Sequence, residues 1–158
     1  MRILGVDPGI ARTGWGVIEC QMSNVKCQNY GCVETSAKHE SSERLKEIYN
    51  SLTGIIGKYN PDSLAVEELF FNTNAKTAFI VGQARGVILL AAGQRNIPIS
   101  IYTPLQVKMA ITGYGRAEKA QIGQMVKVLL KLREIPKPDD VTDALAVALT
   151  HAFTNKFK

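Results

Sequence analysis

The chain has 158 residues, 46% of them hydrophobic and 21% charged, with a formal net charge of +5. That balance suits one domain over residues 1–158 with a sizeable core and excludes a disordered or fibrous chain. No uninterrupted apolar run nears the ~20 residues of a membrane span, and the start lacks the layout of a secretory signal, so a cytoplasmic location is expected.

The first strand is expected at Ile3–Val6, and it runs directly into an acid, Asp7, followed by the turn residues Pro8 and Gly9. A strand from Gly14 to Cys20 and an alternating one from Val25 to Val33 follow. Ser41 and Ser42 are helix-cap candidates for a segment with Leu45, Ile48, Leu52, Ile55 and Ile56 at helical spacing, stopped by Asn60-Pro61-Asp62. A short buried strand, Leu64–Val66, again runs into acid at Glu67-Glu68. Residues 72–94 predict a helix whose small-residue face, with Phe79, Gly86 and Leu90, suits packing on a sheet. Pro98–Tyr102 predicts a strand and Leu105–Ile111 a short helix. A Gly113-Tyr114-Gly115 loop follows, then helices over Ala117–Leu132 and Asp139–Phe153 on either side of Pro136 and Pro138. Strands first, then strands alternating with helices, imply an α/β domain with a mixed central sheet flanked by helices.

Three residue types narrow the chemistry. Cys20, Cys27 and Cys32 are odd in number and lack CxxC spacing, so they read as core or strand residues and not as a disulfide framework or zinc site. His39 and His151 are far apart and read as structural. The segment Pro104–Lys137 holds seven basic residues (Lys108, Arg116, Lys119, Lys127, Lys131, Arg133, Lys137) against Glu118 and Glu134, which accounts for the whole positive excess. Such a run is either a solvated helix surface or a polyanion-binding face.

Carboxylates carry the stronger signal. An ionised acid at the end of a buried strand is costly unless something compensates it, and Asp7 and Glu67 both stand there. Asp140 and Asp143, three apart, share a helix face, where they serve either as first-turn acids on the helix dipole or as ligands. If the last helix lies across the ends of the two acid-terminated strands, four like charges converge and call for divalent cations. Oxygen ligands select Mg²⁺ or Mn²⁺, and two such ions about 4 Å apart activate a water and stabilise the leaving oxygen of a phosphodiester.

Five stretches in order, GVDPGIARTGWGVI, LAVEELFFNTNAKTA, VGQARGVILLAA, GYGRAEKAQI and DDVTDALAVALTH, resemble the RuvC family of Holliday-junction resolvases over nearly the full length. The resemblance implies an RNase H-like fold, a homodimer, and Mg²⁺-dependent cleavage of two opposed strands of a four-way DNA junction, with branch-migration partners of the RuvA and RuvB type. It assigns Asp7, Glu67, Asp140 and Asp143 as catalytic, metal-binding acids; Glu68 and Asp139 stand one position away, and burial alternation with the family pattern favours Glu67 over Glu68. It also gives Lys108 and Lys119 as DNA contacts and favours Phe70 over Phe71 as the aromatic that stacks on a junction base, core packing being the other use of either ring. Arg116, in a glycine-flanked loop before a helix N-terminus, is a phosphate-contact candidate on local grounds. Arg85 is left between a DNA contact and a structural ion-pair partner. The apolar surface of the helix over 74–94 is either the dimer interface or a face packed on the chain's own sheet. Two other readings stay open: a non-catalytic DNA-binding module, and an RNase H-like nuclease acting on another nucleic acid.

Overall fold

Alternating apolar residues in the first third build an antiparallel meander of β1 (Arg2–Asp7), β2 (Arg12–Gln21) and β3 (Asn24–Glu34). The structure is a computed structural model that describes residues 1–21, 24–68 and 75–155. β4 (Ser63–Glu67) adds parallel to β1, and β5 (Ile99–Tyr102) parallel to β4, giving the order β3-β2-β1-β4-β5. Parallel neighbours need crossovers. α1 (Ser41–Tyr59) supplies the one from β3 to β4, and α2 (Ala75–Gly93) lies in the one from β4 to β5. α3 (Pro104–Thr112), α4 (Lys119–Leu129) and α5 (Asp139–Asn155) complete the chain order.

The two-residue period of the strands divides the core into two layers. Leu4, Val6, Val17, Leu64 and Val66 face α1 and α2, where they meet Ile48, Leu52, Ile56, Ala84 and Ile88. Ile3, Ile18, Ala65 and Tyr102 face the other way, onto Val107 of α3, Ile122 and Val126 of α4, and the long buried run of α5. α5 is buried almost all round because the sheet covers one side of it and α3 and α4 cover others.

Several local features depart from the sequence reading. The N-cap of α1 is Glu40 and not Ser41 or Ser42, and the Glu40 backbone N–H donates to Glu43 Oε2 at 3.3 Å. α4 is shorter than Ala117–Leu132. The Ala117 N–H is held by Tyr114 O in the preceding loop, and Lys131 takes a left-handed φ of 53° that ends the helix. α2 buries Ala84, Ile88, Ala91 and Ala92, so the face through Phe79, Gly86 and Leu90 turns outward instead of onto the sheet. Charged and polar residues interrupt it, but α2, at 19 residues and mean hydropathy 1.3, is long and apolar enough to cross a membrane by length and composition. Small and aliphatic residues there outweigh Lys76, Gln83 and Arg85.

Candidate active site

Asp7 closes β1 and Glu67 closes β4, and these strands are parallel neighbours with Val6 opposite Val66. Alternation therefore puts Asp7 on the same face as Ile3 and Gly5, and Glu67 on the same face as Ala65, which is the α5 face. Glu68, one position on, is exposed, and its N–H donates to Tyr102 O at 2.8 Å.

α5 reaches this place because β1 and β2 carry glycine beneath it. A Cβ on Gly5 would stand 2.1 Å from Ala144 O, and one on Gly14 2.0 Å from Asp140 O, so backbone lies on backbone. Gly14 pairs with Asp7 across β1 and β2. The first turn of α5, with Asp140 and Asp143 three residues apart, is thus pressed against the strand ends where Asp7 and Glu67 stand.

The electrostatics follow from that crowding. Burial first, then the charges of Asp143, Glu67 and Asp140, push the Asp7 carboxyl from 3.8 up to about 8, with Lys119 opposing. Burial and Asp143 raise Glu67, while Lys119 and Lys108 pull it down. Asp143 is raised too, although it holds an ion pair: its burial outweighs the attraction of Lys119, whose own pKa is raised mainly by Asp143. The Lys119 ammonium donates to Asp143 Oδ2 at 3.1 Å, and Arg12 Nη1 stands 3.9 Å from Asp140 Oδ2. Two of the four acids are thus turned to side-chain cations. Among the described residues no three acid, histidine or cysteine groups stand in a ready metal-holding cluster.

Beside the acids opens a cavity of about 540 Å³ whose lining includes Glu67, Asp143, Lys108, Arg116 and Lys119. α3 supplies Lys108. α3 ends at Gly113, whose φ of 72° favours glycine, and Thr112 Oγ1 donates to Lys108 O and accepts the Tyr114 N–H at 3.1 Å. That pinned loop carries Arg116 to the cavity and leads into α4, where Lys119 is the first residue. Phe70 and Phe71 lie outside the described residues.

His151 is buried, with its Nδ1 2.8 Å from the Tyr102 hydroxyl. His39 pairs with Glu47 at 2.7 Å on the exposed side of α1. Arg85 forms no ion pair among the described residues, and its Nε is buried without a hydrogen bond there. Two neighbours of the acids escaped the sequence reading. Arg12 reaches Asp140 only because α5 sits on β2. Cys32, opposite Gly14 on β3, has its thiol pKa raised by burial and by the charge of Asp140. Neither residue carries a local sequence signal for that position.

A family model described as crossover junction endodeoxyribonuclease RuvC matches residues 3–151. The chain belongs to the RuvC family. A crossover junction endodeoxyribonuclease RuvC from Alkaliphilus oremlandii is 56% identical over 157 residues, spanning 99% of this chain and 96% of the relative. Another from Desulforamulus reducens is 59% identical over 152 residues, spanning 96% and 93%. Among solved structures, Thermus thermophilus RuvC in complex with a Holliday junction substrate matches with a TM-score of 0.95 at 37% identity, covering 99% of this chain and 96% of that one. The expected RNase H-like fold is the fold observed. All five stretches on which the family resemblance rests fall inside the matched residues.

Proposed function

We propose that this RuvC-family protein is a crossover junction endodeoxyribonuclease that cuts two opposed strands of a four-way DNA junction symmetrically, in homologous recombination and DNA repair. The observation that carries the reading is the meeting of Asp7, Glu67, Asp140 and Asp143 at the strand ends under α5, beside a cavity lined by Lys108, Arg116 and Lys119.

Carboxylate oxygens alone make up the donor set, which fits hard divalent cations. Burial and the neighbouring carboxylates raise the Asp7 pKa, the same crowding of negative charge that a bound cation would relieve. In this reading the four acids hold two Mg²⁺ ions, with Mn²⁺ as a substitute, and the ions supply an activated water and charge stabilisation at the leaving oxygen. The protein's own part is to fix the acids on main chain that cannot shift, and to present Lys108, Lys119 and Arg116 to the phosphates of the bound strand.

Two symmetric cuts need two sites related by a two-fold axis, so the working unit is a homodimer. Its interface is assigned to the outward face of α2, where Phe79 is 68% exposed and Leu90 is also exposed, with Ile99 and Ile101 of the edge strand β5 as further exposed apolar residues. Cooperation with a branch-migration complex of the RuvA and RuvB type, and a cytoplasmic location with the chromosome, rest on family membership alone.

The test is a cleavage assay on a synthetic four-way junction beside a linear duplex of the same sequence, with Mg²⁺ or EDTA, using the protein and Asp140→Asn. Paired nicks in the junction alone, lost with EDTA and with the variant, are expected. Tight binding without cuts across several crossover sequences, with Mn²⁺ also tried, would leave a DNA-binding module. Equal cutting of the duplex would make the protein a nuclease of broader substrate.

A further inference from the structure

Lys108, Arg116 and Lys119 all stand on the α3 and α4 side of the acids. A DNA strand whose reacting phosphate lies at the acids continues past them in both directions, and every phosphate brings a negative charge. The sheet order fixes what stands on the other side. Glu67 on β4, Asp7 on β1 and Gly14 on β2 follow one another across the sheet, with the Asp140 main chain resting on Gly14. Two residues before Gly14, on the same face by the period of the strand, is Arg12. Because β2 runs antiparallel to β1, Arg12 lies just beyond the strand end that carries Asp7.

The backbone around Arg12 is held while its head group is loose. Thr13 is wholly buried and donates from Oγ1 to Gly9 O at 2.6 Å, Thr35 Oγ1 donates to Ile10 O at 2.5 Å, and the Thr35 N–H donates to Ala11 O at 3.1 Å. The Arg12 side chain is 56% exposed, and its guanidinium meets Asp140 only at 3.9 Å, too long for a hydrogen bond. An exposed pair of that kind contributes at most about 1 kcal/mol, so a phosphate can readily take the guanidinium, whose planar fork suits two phosphate oxygens at once.

We infer that Arg12 is a phosphate-contact residue on the β2 side of the acids, gripping the bound strand opposite Lys108, Arg116 and Lys119. The inference rests on the junction-nuclease reading. Arg12 thereby helps to set where along the strand the reacting phosphate stops, a role the basic cluster cannot fill from one side.

The experiment is the salt dependence of junction binding, read by fluorescence anisotropy in EDTA, for the wild-type protein, Arg12→Ala, Arg12→Gln and Arg12→Lys, with melting temperatures alongside. Loss of one phosphate contact makes the slope of log affinity against log salt shallower by about 0.9, which corresponds to roughly eightfold weaker binding at ~0.1 M salt. Arg12→Ala and Arg12→Gln should both show that change at unaltered melting temperature, and Arg12→Lys should restore the slope. Arg12→Gln keeps the side-chain bulk, so it decides the matter if Arg12→Ala folds poorly. A wild-type slope in Arg12→Gln, with the wild-type protein binding and cutting junctions, overturns the inference and leaves Arg12 as a partner of Asp140 only. A wild-type protein that neither binds nor cuts junctions overturns the nuclease reading and this inference with it.

Discussion

Asp7→Asn should stabilise the protein in the absence of divalent metal, and the gain should grow with pH. The Asp7 carboxyl is protonated in both the folded and the unfolded chain below 3.8, so the aspartate and asparagine proteins then differ little. Between 3.8 and about 8 the unfolded chain ionises while the folded one resists, so the stability of the wild-type protein falls through that window. Each tenfold change in proton affinity is worth about 1.4 kcal/mol, and a pKa carried from 3.8 to about 8 sets a ceiling of about 6 kcal/mol. Asp7 keeps some contact with water, which screens part of this. The expected gain is therefore about 2–4 kcal/mol at pH 8, or roughly 5–15 °C in melting temperature. Thermal and urea denaturation in EDTA at stepped pH read it directly. A gap that stays flat from pH 4 to pH 8, or one in which the asparagine protein is the less stable, refutes the argument that four crowded acids strain this fold. The same variant should lose junction cleavage while still binding the junction, and an active Asp7→Asn protein would remove Asp7 from the catalytic set.

Gly14→Ala forces a Cβ into a space where Asp140 O stands 2.0 Å away, so α5 must lift from β2. Cleavage should fall on the order of a hundredfold, with a stability loss of about 2–3 kcal/mol by denaturation; a fully active protein would mean the helix has slack. Lys119→Ala leaves the half-buried Asp143 carboxylate without its cation, so stability should fall by about 1–2 kcal/mol in the absence of metal while the salt slope of junction binding becomes shallower. An unchanged slope would return Lys119 to the solvated surface. Phe79→Glu should leave the protomer's melting behaviour intact yet yield monomers in sedimentation, and a persistent dimer would move the interface off α2. Tyr102→Phe takes a hydroxyl from the buried His151 ring and should cost about 1 kcal/mol in urea denaturation.

Period and punctuation made most of the fold legible, because each strand before an acid is a short apolar run and each helix has a clear stop. Glu67 is preferred to Glu68 by burial alternation together with the family pattern, and the structure puts Glu67 on the α5 face. Contacts between elements distant in sequence were not legible. Arg12 and Asp140 are 128 residues apart and meet only because Gly14 lets a helix lie on a strand. The outward turn of Phe79 was hidden for a different reason: α2 is apolar nearly all round, so its sequence carries almost no preference for which side meets the sheet. Cap choice at α1 turned on a reach of Glu43 back to Glu40, which outcompeted the serines that composition favours there.

Main chain resting on main chain at Gly5 and Gly14 has a consequence for motion. Side-chain contacts can loosen one rotamer at a time, but a helix seated on bare backbone comes off only by separating from the sheet over its length. Amide hydrogens in the first turns of α5 and along β1 should therefore exchange with solvent only through opening close in free energy to global unfolding, and Asp140 and Asp143 would hold their places for as long as the protein is folded at all.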